Sequence, residues 1–141
     1  MKQAVFSLAI LLLTLCGCSS DDGLSSVKKS VVGSWQLVER IAGFYPSTQS
    51  MPVNTNYIME FRSDGTVVNI VDGEQISEMP YWLKPTNLGD DSYYLCYDPD
   101  IDYSQSTGGT TLRVEGDKLT IHSYGCFAST ICVYRRLKVR S

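Results

Sequence analysis

The sequence predicts an all-β domain: an eight-stranded antiparallel up-and-down meander that closes into a barrel. Three observations predict it. From Gly33 onward no segment carries a sustained helical period, while segments rich in Val, Ile, Tyr, Thr and Phe recur. Turn pairs punctuate those segments at Asp64-Gly65, Asp72-Gly73 and Gly116-Asp117. Connections this tight make successive strands pair antiparallel, and closing the meander removes the edges that invite aggregation.

The first element is a leader. Lys2 supplies a positive start, and Ala4 to Leu15 is an almost wholly apolar run. That run is too short to span a bilayer as a mature helix and has the pattern of a secretory signal. Leu15-Cys16-Gly17-Cys18 then resembles the lipobox of bacterial lipoproteins, which implies removal of residues 1–17 and lipid on Cys18. Cys16 would go with the leader, since acylating it would place Leu15 where a small residue is needed. Each buried methylene is worth about 0.8 kcal/mol, so two or three acyl chains would hold the protein to a membrane. Ser19-Ser20-Asp21-Asp22-Gly23 reads either as a flexible polar tether or as the Ser/Asp-rich signal that some Gram-negative bacteria use for surface export. Residues 18–30 as a whole read as lipidated cysteine and tether, with room for one helical turn between Leu24 and Val32.

Residues 31–141 form the expected barrel domain. Its strands are expected at Ser34–Gly43, Asn56–Ser63, Thr66–Val71, Ile76–Lys84, Ser92–Asp98, Thr110–Glu115, Lys118–Tyr124 and Thr130–Lys138. Alternation assigns the faces. Trp35, Leu37 and Ile41 share the apolar side of the first strand, with Gln36 and Arg40 opposite and Glu39 the exception. Tyr57, Met59 and Phe61 oppose Ile58, Glu60 and Arg62 in the second strand, and Leu119 and Ile121 oppose Thr120 and His122 in the seventh. Eight strands leave an interior just wide enough for side chains or one small ligand. Two longer loops, Phe44–Thr55 and Pro99–Gly109, are where binding is expected.

Composition narrows the function. The full chain has 141 residues and a formal charge of −3, and loss of Lys2 makes the exported form one unit more acidic. An acidic domain lacks the basic patch that nucleic acid requires. Three cysteines remain after the leader: Cys96, Cys126 and Cys132. An exported compartment permits one internal bridge. A hairpin centred on Ser129 would set Cys126 opposite Cys132, as Tyr124 opposite Tyr134, at a distance suited to a disulfide. A pairing of Cys96 with either of the others, or no bridge, remains open.

The motifs also carry a family resemblance. Gly33-Ser34-Trp35 opens the first strand, Phe61-Arg62-Ser63-Asp64-Gly65-Thr66 forms the next hairpin, and Val133-Tyr134-Arg135-Arg136 lies in the last strand. In that order they resemble the lipocalin-like lipoproteins of Gram-negative bacteria, over roughly residues 30–140. The resemblance implies a barrel closed at its base by Trp35 beneath an arginine of the last strand, here Arg135 or Arg136. Gly33 would lead into that plug. A guanidinium over an indole is worth about 0.5–2 kcal/mol.

Signals for chemistry are sparse. The single histidine, His122, falls on a polar strand face, next to no obvious nucleophile. The chain has no nucleophile elbow, Cys-x-x-Cys, phosphate loop or zinc spacing. Asp98, Asp100 and Asp102, with Asp90 and Asp91 nearby, alternate as calcium ligands do, but the turn glycine and the closing glutamate are missing. A solvated acidic loop is the better reading, so no metal and no cofactor are expected. Tyr93, Tyr94, Tyr97, Tyr103, Tyr81 and Trp82 concentrate aromatic surface, which lines ligand cavities and interfaces or fills a β core poor in leucine. The sequence therefore points to a non-enzymatic, lipid-anchored protein of the outer membrane. It would bind a small apolar or amphipathic ligand, with Tyr57, Tyr81, Trp82 and Tyr94 as candidate ligand-facing residues. The alternative is a tightly packed barrel that acts on an envelope protein partner as an interaction module.

Overall fold

The computed structural model describes residues 22–44, 47–103 and 107–138, so Cys18 and the leader lie outside the described residues. In chain order its elements are α1 (Asp22–Val31), β1 (Gly33–Phe44), β2 (Ser47–Met51), β3 (Tyr57–Phe61), β4 (Thr66–Val71) and β5 (Glu74–Pro80). They continue with β6 (Trp82–Pro85), β7 (Tyr93–Cys96), β8 (Gly109–Glu115), β9 (Lys118–Tyr124) and β10 (Ala128–Arg136). The three turn pairs do what their chemistry dictates. Asp72 and Gly73 both adopt positive φ (51° and 88°), the primed turn whose twist matches the flanking strands β4 and β5. At the β3–β4 corner the Asp64 carboxylate accepts hydrogen bonds from the Thr66 amide (2.9 Å) and hydroxyl (2.7 Å). Gly116-Asp117 joins β8 to β9 with Glu115 opposite Lys118.

These hairpins assemble one antiparallel sheet in the order β5-β4-β3-β1-β10-β9-β8-β7-β6, with β2 added to β1. The path starts and ends on β5 and β6, which are neighbours in sequence, and the sheet curls into a half-barrel. The all-β class is as expected; the strand count is not. Ile76–Lys84 was one expected strand, but the chain bends at Tyr81, where the amide donates to the Gly65 carbonyl (2.9 Å) instead of to a ladder. β5 and β6 result, and among the described residues no ladder joins them. A further short strand, β2, occupies the expected loop Phe44–Thr55. Among the described residues ten strands therefore stand where eight were expected.

The tether is corrected too. Residues 22–31 form a helix, and its Val27 and Val31 join the core with Leu24 packed against it. Leu24, Val27 and Val31 recur at helical spacing, so burial of one stripe stabilises a helix whose polar content reads as linker. The helix lies against β6 and β8 at the end of the sheet where β1 begins.

β1 pairs with β10 along nearly its whole length, but the register shifts between Leu37 and Glu39. Val38 is the bulged residue, and it is exposed. Leu37 stands opposite Tyr134, and Arg40 opposite Cys132 two residues along. Opposed residues share a face, so the bulge transfers Arg40 to the side of Leu37 and turns Ile41 away. The uninterrupted alternation expected across this strand fails there for that reason. In β3 and β9 no bulge intervenes, and the expected faces are found: Met59, Phe61, Leu119 and Ile121 are buried.

Candidate functional site

At the helix end, Trp35 is fully buried and its indole N–H donates to the Val31 carbonyl (2.7 Å). Arg136 stands opposite Trp35 in the ladder and lays its guanidinium over the ring, 4.1 Å from the ring centre. The same guanidinium donates to the carbonyls of Val32 (2.9 Å) and Ser30 (2.6 Å). Those carbonyls lie at and just beyond the C-terminus of α1, where a helix leaves acceptors unsatisfied and favours positive charge. Gly33 lies beneath: a Cβ there would stand 2.8 Å from Arg136 Nη1, and its φ of +134° would strain any other residue. Arg136, not Arg135, thus meets Trp35; Arg135 is exposed and faces Gln36.

The four candidate ligand-facing residues separate. Tyr57 lies on the inner face, with its hydroxyl donating to Asn69 Oδ1 (2.8 Å) and its ring 6.4 Å from that of Tyr134. Tyr81 is buried with its ring edge-on to Phe61 at 5.0 Å, and burial raises its phenol pKa. Trp82 and Tyr94 belong to the other face, because Leu83 and Leu95 between them point inward. Tyr94 stacks on Tyr103 at 5.4 Å, and Lys84 beside it donates to the carbonyls of Pro99 and Ile101, both 2.6 Å. The acidic loop therefore closes on a lysine over the outer face. Among the described residues no cluster of His, Cys, Asp or Glu is arranged to hold a metal ion.

Tyr81 and Trp82 do meet at one place. With Leu83, Lys28, Val32 and the β3–β4 corner Arg62-Ser63-Asp64-Gly65 they line a cleft of about 330 Å³. Lys28, Arg62 and Asp64 put charges of both signs at its rim. Hydrogen bonds from the Thr66 hydroxyl and amide hold the Asp64 carboxyl below the usual carboxylate range, so it adds a fixed negative charge. The sequence does not mark Lys28, because the serines and lysines around it have the composition of a linker. Arg62 is engaged with Glu60 (2.8 Å) and Glu78 (3.3 Å).

Trp35, Phe61, Val67, Leu95, Leu112 and Leu119, drawn from both walls of the curl, are all fully buried and belong to one continuous cluster.

The expected bridge is absent. Cys96, Cys126 and Cys132 are all free. Tyr124 pairs with Ser129, and the Gly125 amide donates to the Ala128 carbonyl (2.9 Å), so the turn is tighter than one centred on Ser129. Cys126 falls in the turn, while Cys132 faces Ile121 and Tyr134 faces Leu119. The tighter register keeps Leu119 and Ile121 on the face of Tyr134; the looser one would have set that face aside. It also brings His122 Nε2 within 2.8 Å of the Ser129 hydroxyl, a neighbour that the linear sequence hides. Among the described residues no carboxylate orients that ring. No described helix is long and apolar enough to cross a membrane. No family model, no curated protein and no solved structure matches the chain.

Proposed function

We propose that the chain is a lipid-anchored envelope protein, a lipocalin-like lipoprotein of the outer membrane, that acts without catalysis as an interaction module. The filled interior supports this reading: side chains from both walls meet in one cluster, which leaves the outer surface and the loops to do the binding. The leader and Leu15-Cys16-Gly17-Cys18 support the anchor. Native mass spectrometry of protein purified from its own host tests the module. The expected spectrum shows the lipidated chain with no stoichiometric small molecule, and a retained ligand overturns it. Cys18→Ser tests the anchor: the variant should leave the detergent phase.

A second reading has one observation in its favour. The cleft at Tyr81 and Trp82 offers aromatic surface with Lys28 and Asp64 at its rim, which suits a small amphipathic ligand. Under that reading the co-purifying ligand is lost on Trp82→Ala.

A further inference from the structure

Among the described residues β5, β6 and β2 each have an open side, and they are not protected alike. β5 carries Glu74, Glu78 and Pro80, and β6 carries Lys84 and Pro85. Charge and proline are the ordinary devices against edge-to-edge pairing. β2, Ser47-Thr48-Gln49-Ser50-Met51, has neither. All five of its residues are exposed, it pairs only with β1, and among the described residues no strand lies on its other side. The β1–β2 approach is itself fixed, because a Cβ on Gly43 would collide with the Ser47 backbone.

We propose that β2 pairs antiparallel with β2 of a second copy of this chain, about a two-fold axis at Gln49, so that the two sheets continue into one another. The register of β1 on β2 shows why this strand fits itself. Phe44 stands opposite Ser47, Ala42 opposite Gln49, and Arg40 opposite Met51, all on one face. Antiparallel pairing about Gln49 sets Ser47 opposite the partner's Met51, and Thr48 opposite the partner's Ser50. Each row on that face then reads Phe44, Ser47, then the partner's Met51. Phe44 is 71% exposed and Met51 47% exposed in the single chain. The pairing places these two large apolar side chains on either side of a small serine, close enough to cover it and one another. Thr48 and Ser50 form hydroxyl pairs on the opposite face. β2 carries no charged residue, so no like charges meet along the paired strands. A two-fold contact of this kind closes, giving a dimer and no fibre. It provides the interaction-module reading with one definite partner. Its test reads oligomer and not bound small molecule, so either can fail alone.

Gln49→Cys in the full chain, assayed in its own membranes, reads the axis directly, since only the axial residue meets its own copy. A reductant-sensitive dimer several-fold above that of the parent chain is expected, and none above the parent for Glu74→Cys on β5. Charge provides the second arm. Gln49→Lys alone and Gln49→Glu alone should each be monomeric by chemical cross-linking, with unchanged melting, and coexpression of the two should restore a dimer. Three results overturn the proposal: a Gln49→Cys chain that dimerises no more than the parent, single charge variants that still dimerise, or β2 cross-linked to a different protein while the parent chain is monomeric.

Discussion

The same two strands, β1 and β10, build both ends of this molecule, and the ends could hardly differ more. Where β1 begins, Trp35 is fully buried, Arg136 stacks on it, and α1 closes the end with its last carbonyls bonded. Where β1 finishes, Phe44 stands opposite Ala128, and Phe44 and Phe127 are 71% and 78% exposed. The bulge at Val38 divides the two regions. Before it β1 is flanked by β3, which brings a second wall and a core; beyond it β1 is flanked by β2, which brings neither. The difference teaches that aromatic content does not make a core. A large apolar side chain is buried only where the sheet curls enough for another wall to face it.

Four measurements would break or sharpen this contrast. Trp35→Ala should cost the most, about 3–5 kcal/mol by chemical denaturation, because a large void opens between walls that cannot collapse. A loss under about 1 kcal/mol would mean that this end is no better packed than the other. Arg136→Met keeps the apolar stem over the indole but leaves the Ser30 and Val32 carbonyls without their charged donor. It should cost about 2–3 kcal/mol, since hydrogen bonds to charged groups are worth more than neutral ones. Arg135→Met, a change at an exposed side chain one residue away, should be nearly silent and serves as the control.

The third measurement is alkaline stability, which reads the phenols between the two ends. Burial raises the phenols of Tyr57 and Tyr134, with Cys132 adding to both. Burial also raises the Cys96 thiol above its ordinary 9.0. A group whose ionisation is harder in the folded chain leaves stability intact below its unfolded value and subtracts from it above. Stability should therefore hold to about pH 9, fall slowly as unfolded Cys96 ionises, and fall steeply once unfolded tyrosines ionise above 10.0. Tyr134→Phe should flatten the steep part, and an unchanged slope would place its hydroxyl in water. The smallest effect is expected at the open end: Phe44→Ser and Phe127→Ser should each shift the stability of the isolated monomer by no more than about 0.5 kcal/mol. A larger loss would show these rings packed on something within the chain.

The turns were legible because their chemistry is local. Asp72-Gly73, Asp64-Gly65 and Gly116-Asp117 need positive φ or a side-chain cap whatever surrounds them, and each joins the two strands that flank it. α1 was harder to read, since its apolar stripe of Leu24, Val27 and Val31 is short and set among serines and lysines. Only the core beneath it supplies the burial that makes it a helix.

The family resemblance implied the meeting of Trp35 with an arginine of the last strand; what the sequence determined by itself was the all-β class, the hairpin corners and the inner faces of β3 and β9. Each depends on residues close in the chain or on a period of two. The tertiary structure alone decided the bend at Tyr81, the bulge at Val38, the tight turn that separates Cys126 from Cys132, and the choice of Arg136 over Arg135. The reason is common to all four. A one-residue shift in register moves every later side chain to the other face, and that shift is set by which wall the strand must face across the core.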